Sequence, residues 1–373
     1  MITGLRLHNF RNMGQVSLHT SKKCVVLWGE NGSGKTNILE AISLFSHSKG
    51  LRQDAHTNMI NQAAPHLGWG VHIDLEQNLT FHSAYKPQLD GDFKRISSIS
   101  EQPIKSTAQF QEWMNLLWMT PQTDQLFADS PSKRRKFVDR FVYAKDPLHL
   151  KRVLNFEQAV RQRLKLLKQE RYPNHEWLTA LEQTIAQEGV AIGFARSHVL
   201  KTLSTFQPLG AEEGILTSFT ACMDGPFEMH LTNGSALQIE ESYRKALAEN
   251  RTQDQQSGMT LLGPHRSDLS VMHHRKNMNA FCCSTGEQKI LLLSLLISFM
   301  EQVSFHQDQL TVFILDDAMA HLDTHHRSAL FHRLIQSQDK NFQIWFSGTD
   351  QHLFQSLESV GEYIYVPSLM HHP

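Results

Sequence analysis

Gly29 to Thr36 read GENGSGKT, a glycine-rich octet closed by a lysine and a threonine. That spacing suits a phosphate chain, because backbone N–H groups can curve around an anion at a helix start. Amides from Asn31 to Thr36 would wrap the β-phosphate of ATP, with Gly29, Glu30 and Ser33 completing the loop. Gly32 and Gly34 let the backbone approach closely. Lys35 places a point charge between the β- and γ-phosphates, and the Thr36 hydroxyl would hold Mg²⁺. The plain alternative is a glycine-rich turn with a solvated lysine. Hydrolysis would also need a carboxylate on a second strand, and the best candidate, TVFILDD (Thr311 to Asp317), lies far along the 373-residue chain. There Asp316 would hold Mg²⁺ through water, and Asp317 would polarise the attacking water. Alone, such a stretch reads equally as an acidic turn at a strand end.

A third stretch, CSTGEQKILLLSLL, sets Ser284, Thr285 and Gly286 at the start of an apolar helix. Ser284 and Glu287 have the spacing of a capping box, so a well-capped buried helix is one reading. A hydroxyl, a glycine and a positive helix end also make a γ-phosphate site, which is the other.

The elements that must position these residues follow from periodicity. GLRLHNF and QVSLHT alternate as strands, and KCVVLWG is a continuous apolar run ending at glycine, as a buried parallel strand would. NILEAISLF follows with helical spacing, so the octet sits between strand and helix. WGVHIDLEQNLTFHSAY reads as two further strands. From about residue 106 the pattern turns helical: QFQEWMNLLW, SKRRKFVDRFVYA, and a hairpin of two long helices broken at Pro173 and Asn174. AEEGILTSFTACM and the segment to Ile239 are weakly patterned and read as strands. ENRTQDQQSG (Glu249 to Gly258) is polar throughout and reads as a linker. An apolar helix, the strand TVFIL, another helix and the strand FQIWFSGTD complete the chain.

Composition bounds the partners. The chain is 40% hydrophobic and 20% charged with net charge −1, ordinary for a soluble protein, so any polyanion contact must be local. Four cysteines without C-x-x-C spacing argue against a disulfide framework or a zinc knuckle, and suggest a reducing, cytoplasmic setting. The opening residues lack a signal-peptide core, and ILLLSLLISFM is too short to span a bilayer, so no membrane partner is expected.

Together these motifs resemble an ABC-type ATPase head of the SMC-like branch, and more closely the RecF family. The matching stretches are LRLHNFRN (Leu5 to Asn12), GENGSGKTN, PSKRRKFVDR (Pro131 to Arg140), GPHRSDL (Gly263 to Leu269), STGEQK, ILDD, HLD (His321 to Asp323) and FSGTD (Phe346 to Asp350). The resemblance implies an α/β head assembled from both chain ends, with a largely helical inserted lobe. Expected boundaries are 1–105 for the P-loop half, 106–250 for the lobe and 251–373 for the signature half. It further implies two chains sandwiching two ATP molecules. The signature residues Ser284, Thr285, Gly286, Glu287 and Gln288 would act in trans on the γ-phosphate held by Lys35. Asp323 would form a D-loop, Thr349 or Asp350 a switch near the γ-phosphate, and Gln122 the Q-loop. Transporter heads usually carry Glu where Asp317 stands, so turnover is expected to be slow, a weak DNA-stimulated ATPase serving as a switch.

Double-stranded or gapped DNA is the implied ligand, in recombinational repair, replication-fork maintenance and the SOS response, with RecR and RecO as implied partners. The densest basic cluster is Lys133, Arg134, Arg135 and Lys136. Arg161, Arg163, Lys165 and Lys168 follow on the hairpin, near Lys151 and Arg152. These could meet phosphates, form a solvated helix face with i,i+4 partners, or, for Arg134 and Arg135, brace the lobe. Arg11 reads as a nucleotide or DNA contact or as a strand cap. His265 and Arg266 read as a link to the signature or as a structural turn. A transporter ATPase would want shorter spacing between the P-loop and the acidic strand, and a nuclease-partnered SMC-like head would want long heptads.

Overall fold

The structure is a computed structural model. It describes residues 1–46, 50–88, 91–169, 174–205, 216–231, 234–302, 309–320, 322–336 and 341–370. His321 of the HLD stretch and Pro173 of the hairpin break lie outside the described residues. The chain divides into two compact units: Met1–Asp124 with Ser304–Pro373, and Gln125–Val303.

The first unit holds two sheets. Strands β1 (Ile2–Phe10), β2 (Met13–His19), β4 (Trp69–Leu75), β5 (Leu79–Pro87), β6 (Phe93–Ile99) and β7 (Gln102–Pro103) form an antiparallel sheet in the order β2-β1-β4-β5-β6-β7. Strands β3 (Cys24–Trp28), β8 (Met114–Met119), β12 (Leu310–Leu315), β13 (Phe342–Gly348) and β14 (Gly361–Tyr365) form a parallel sheet ordered β14-β3-β13-β12-β8. Helix α1 (Lys35–Ser43) shares one apolar core with both sheets: Leu5, Leu7, Ile38, Ile42, Phe45, Val71, Phe81, Val312 and Trp345 are all fully or almost fully buried in it. The three-amide reach of Gln343 ties the two chain ends further. Its Oε1 accepts from the Ile2 amide (3.0 Å), and its Nε2 donates to the Ile2 carbonyl (2.9 Å). Helix α9 (Thr324–Gln336) connects β12 to β13.

The second unit is mostly helical. It comprises α2 (Pro131–Lys145), α3 (His149–Gln169), α4 (His175–Ser204), α5 (Pro226–His230), α6 (Ala236–Glu249), α7 (Arg251–Ser257) and α8 (Thr285–Gln302). A small antiparallel sheet joins them, ordered β11-β10-β9, from β9 (Phe219–Asp224), β10 (Asp268–His273) and β11 (Met278–Asn279). Phe156, Ile185, Val190, Phe227 and Tyr243 centre its core.

Three expectations change. Residues 114–119, read within a helical stretch, form strand β8, because MNLLWM is almost wholly apolar, is buried on both faces and pairs in parallel with β12. Periodicity cannot separate a buried strand from a buried helix over so short a run. ENRTQDQQSG does not form a linker. Arg251–Ser257 is helical, and Asp254 is buried by pairing with Arg163 rather than by apolar contact. Among the described residues, the region read as strands up to Ile239 contains one strand, β9, followed by α5 and α6, whose start Ser235 and Gln238 close as a capping box. The two compact units part at residues 124 and 303, where the boundaries expected from the sequence were 105 and 250. Strand β8 belongs with the first unit, and α8 belongs with the second.

Candidate nucleotide site and the basic residues of the second unit

All five strands of the parallel sheet run the same way, so their carboxyl ends share one edge, where α/β sheets place ligands. The register aligns Leu315 with both Phe346 and Met119, and Gly348 with Trp28. Four loops therefore meet there: the octet after β3, Asp316–Asp317 after β12, Thr349–Asp350 after β13, and Gln122 after β8.

The octet adopts backbone that only glycine takes readily: Gly29, Gly32 and Gly34 have φ of 146°, 84° and 95°. At Gly29 space is also closed, since an added Cβ would lie 2.8 Å from Pro367 Cδ. Lys35 Nζ donates to the carbonyls of Gly29 (2.8 Å) and Glu30 (2.9 Å), which folds its ammonium across the loop. Burial lowers the Lys35 pKa, opposed by the charges of Asp317 and Asp316. From outside, Asn12 in the β1–β2 turn donates to the Gly32 carbonyl (3.3 Å) and accepts from Asn37 (2.6 Å).

Thr36 Oγ1 donates to Asp316 Oδ1 at 3.0 Å, joining residues 280 apart in sequence. Ser347 Oγ donates to the same Oδ1 (2.7 Å) and accepts from the Asp317 amide (2.8 Å). Ser347 is thus the partner that sequence reasoning missed. Its only advance signal was its place at the end of the apolar run FQIWFSG. Burial pushes the Asp316 carboxyl up, the Ser347 hydrogen bond opposes that, and the negative charge of Asp317 adds to the rise. Asp317 itself sits at φ 48°, a left-handed conformation that short acidic side chains tolerate better than most.

These groups suit a nucleotide with its cation. The buried Ser33 Oγ has no partner among the described residues. Thr36 and Asp316 supply two converging oxygens, enough protein ligands for Mg²⁺, which keeps waters and phosphate oxygens in its other positions. Gln122 is exposed and accepts from Thr120 Oγ1 (3.0 Å). Thr349 and Asp350 are exposed, and Asp350 caps the next turn by accepting from the His352 amide. Asp323 accepts from both the His326 amide (2.9 Å) and its ring nitrogen (2.7 Å), which hold its carboxyl below the usual range. Arg11 is engaged by Glu40 (2.6 and 2.9 Å) and Asp54 (3.0 Å), so it braces α1 from behind and is not free as a contact.

In the second unit, Ser284, Thr285 and Gly286 are exposed at the start of α8. The Ser284 amide donates to Glu287 Oε2 (2.9 Å), and Ser284 Oγ accepts from the Glu287 amide (3.5 Å). An ion pair with Lys276 helps hold the Glu287 carboxyl near 2. Gln288 is buried and donates to the carbonyls of Ala280 (2.9 Å) and Cys283 (3.1 Å), so it builds the turn and does not face outward. Gly286 shows no nearby atom where a Cβ would stand, so its own chain does not require glycine there.

The basic residues divide sharply. Arg163 is fully buried: it donates to Glu182 (3.0 Å), Asp254 (2.6 Å) and the Leu247 carbonyl (2.6 Å). Arg134 is also buried, bidentate on Asp268 at 2.6 and 2.8 Å. Neither can reach a phosphate; both expectations are corrected by the acids that neutralise them. Arg135 donates to the Ser267 carbonyl (2.8 Å), and Lys133 pairs with Asp129 (2.7 Å). Lys136, Arg161, Lys165 and Lys168 are exposed, Arg161 within 3.6 Å of Glu157, and Lys151 is exposed while Arg152 pairs with Asp146.

These contacts also explain why PSKRRKFVDR and GPHRSDL occur together. Arg134 and Arg135 of one hold Asp268 and Ser267 of the other. Arg196 joins Asp139 (2.8 and 2.9 Å) to the Pro264 carbonyl (2.7 Å). Gly263 is required in that turn, since a Cβ would lie 2.4 Å from Tyr243 Oη. His265 Nε2 lies 2.9 Å from the Thr260 carbonyl, and burial lowers its pKa to about 4. Arg266 also donates to Thr260 (3.1 Å). Both therefore serve the turn.

The family model described as the RecF/RecN/SMC N terminal domain matches residues 1–365. The DNA replication and repair protein RecF of Allorhizobium ampelinum is 36% identical over 367 residues, covering 98% of this chain and 96% of that protein. Its namesake from Brucella abortus is 35% identical over 366 residues, covering 98% and 94%. Among solved structures, the recombination mediator protein RecF-ATP in the RecFOR pathway superposes with a TM-score of 0.78 at 21% identity, covering 98% of this chain and 97% of that one. A Pyrococcus furiosus Smc head domain bound to the C-terminal domain of ScpA gives 0.53 at 15%, covering 95% and 91%. At these identities both structures speak for the fold alone. No helix among the described residues is long and apolar enough to cross a membrane.

Proposed function

The chain belongs to the RecF family, and from that premise we propose that it is an ATP-switched DNA-binding protein of recombinational repair and replication. The observation that carries this reading is the Thr36–Asp316–Ser347 hydrogen-bonded cluster, which builds one phosphate-and-cation site from residues 280 and 311 positions downstream of Thr36 and Thr36 itself. Mg²⁺ bound there would neutralise charge on the β- and γ-phosphates. The protein's own part is to hold and orient. The octet amides grip the phosphate chain, Lys35 turns from the loop carbonyls to the γ-side, and Thr36 and Asp316 position the cation. Asp317, kept at the strand end by the hydrogen bond its backbone N–H donates to Ser347 Oγ, accepts a proton from the attacking water. As aspartate it reaches less far than glutamate, in keeping with a slow switch.

Ser284, Thr285 and Gly286 complete the site of a second copy. Their exposed hydroxyls and open glycine present a positive helix end to a γ-phosphate, so ATP favours a closed dimer and hydrolysis releases it. Asp323, Thr349, Asp350 and Gln122 belong to that closure. Duplex or gapped DNA is the ligand of the closed state, Lys136, Arg161 and Lys165 are the remaining candidate contacts, and RecR and RecO are the partners through which a recombinase is loaded at gaps.

The test is binding to labelled duplex DNA with and without ATP, using Asp317→Asn to slow turnover and Ser284→Arg to block closure. ATP-dependent binding that Ser284→Arg abolishes is expected. Indifference of the Asp317→Asn protein to duplex under ATP at low salt would turn the search to a protein ligand.

A further inference from the structure

Arg134 stands in the first turn of α2, yet it contacts three separate stretches of the second unit. Its Nη1 donates to the carbonyls of Leu126 (3.3 Å) and Phe127 (3.2 Å), and also to Asp129, in the stretch where the chain enters this unit. Its Nε and Nη2 take both oxygens of Asp268, the first residue of β10. Its guanidinium lies 4.8 Å from the ring centroid of Phe281, whose edge also meets Phe127. Phe281 is three residues before Ser284, in a short turn fixed by its own bonds. The Phe281 amide donates to Asn279 Oδ1 (3.1 Å), Asn279 Nδ2 donates to Ser270 Oγ (3.1 Å), and Gln288 closes the far side.

Such a convergence exceeds what stability asks of one arginine. An apolar residue could fill the space, and buried ion pairs gain little over apolar packing of equal volume. What only a planar, five-donor fork can do is hold a carboxylate, a run of carbonyls and an aromatic face in one fixed geometry. Phe281, 46% exposed, gains its order from that face and not from burial.

We propose that Arg134 is a positioning residue for the signature segment: it locks the entry stretch Leu126–Asp129, the start of β10 and Phe281 into one body, and so sets where Ser284 and Gly286 are presented. A displacement of the entry stretch is thereby delivered to the signature, and a signature engaged by nucleotide pulls back on the entry stretch. The inference rests on the proposed closure of two copies about ATP.

The experiment compares full-length wild type, Arg134→Lys, Phe281→Leu and the double variant. Two quantities are read: ATP affinity of the isolated chain, by a fluorescent analogue, and ATP-driven association, by sedimentation. Lysine keeps the charge and loses the fork, and Phe281→Leu leaves the Asp268 pair untouched, so a folded variant is available even if Arg134→Lys is unstable. ATP affinity should stay within about twofold in every variant, because the octet lies in the other unit. Association should weaken about tenfold in Arg134→Lys and roughly threefold in Phe281→Leu, the range for losing a bidentate pair or a cation–π contact. The double variant should be no worse than Arg134→Lys, since both remove one contact chain. Undiminished association in the folded variants overturns the positioning role, as does strict additivity. Failure of wild type to associate under ATP overturns the closure itself, and this inference with it.

Discussion

The edge of the parallel sheet and the helical hairpin both carry charge, and the two use it in opposite ways. At the sheet edge Lys35, Thr36 and Asp316 sit just beyond the ends of β3 and β12, each held by one or two hydrogen bonds. In the hairpin Arg163 commits its fork inward to two acids and a carbonyl, at zero exposure. A strand end must hand its polar groups to something beyond the sheet, whereas a long helix carries a position every 100° or so and can turn any one of them into the core. Charge at a strand end therefore speaks of a ligand, and charge on a helix does not until its partners are known.

The sharpest break in that contrast is Arg163→Leu. If the arginine is the counter-ion of a buried cluster, its loss leaves Asp254 uncompensated and costs about 3–5 kcal/mol of stability, read from the urea midpoint of helical circular dichroism. A shift below about 0.5 kcal/mol, the size of a surface change, would return Arg163 to the solvated face.

A smaller effect is expected from acid. Burial raises the Asp139 carboxyl, but the Arg196 charge and the His149 and Arg196 hydrogen bonds outweigh it, so it titrates at about 2 instead of 3.8. A depressed carboxyl stabilises the fold above its unfolded pKa, and that contribution is lost as pH falls from about 4 toward 2. It amounts to about 2 kcal/mol at neutral pH. Unfolding midpoints measured from pH 6 to pH 2 should fall more steeply for wild type than for Asp139→Asn.

The sequence pattern made the sheet edge readable because its spacing is chemistry: GENGSGKT admits few backbones, and ILDD follows an apolar strand. It could not reveal Ser347, since a serine ending FQIWFSG looks like any other until β13 is set beside β12. Nor could it turn Arg163 inward, because the residues that bury it, Glu182 and Asp254, lie 19 and 91 positions away. Asp254 in particular sits in the polar ENRTQDQQSG, where no apolar residue marks an inward face. MNLLWM failed for the opposite reason, being apolar at every position but Asn115 and buried on both faces.

The smallest expected effect belongs to the cations that remain outside. Lys165→Ala should leave stability within about 0.5 kcal/mol. If Lys165 meets a phosphate, the same change lowers the slope of log affinity against log salt by about one for any duplex sequence. An unchanged slope removes the hairpin from the DNA surface and completes the contrast.

The embrace of β3 by later strands has a consequence for how the protein is made. Both sheet neighbours of β3, β13 and β14, come from residues 342–365, and the Ile2 backbone bonds to Gln343. A ribosome adding about 5–20 residues per second holds the first strands for tens of seconds before those partners emerge. The second unit, contiguous in the chain, can fold meanwhile. Until then Val25 and Leu27 have no strand to pair with, so the growing chain carries its phosphate loop unfinished and these apolar side chains uncovered. Shielding of those side chains during synthesis is therefore expected to raise the yield of folded protein.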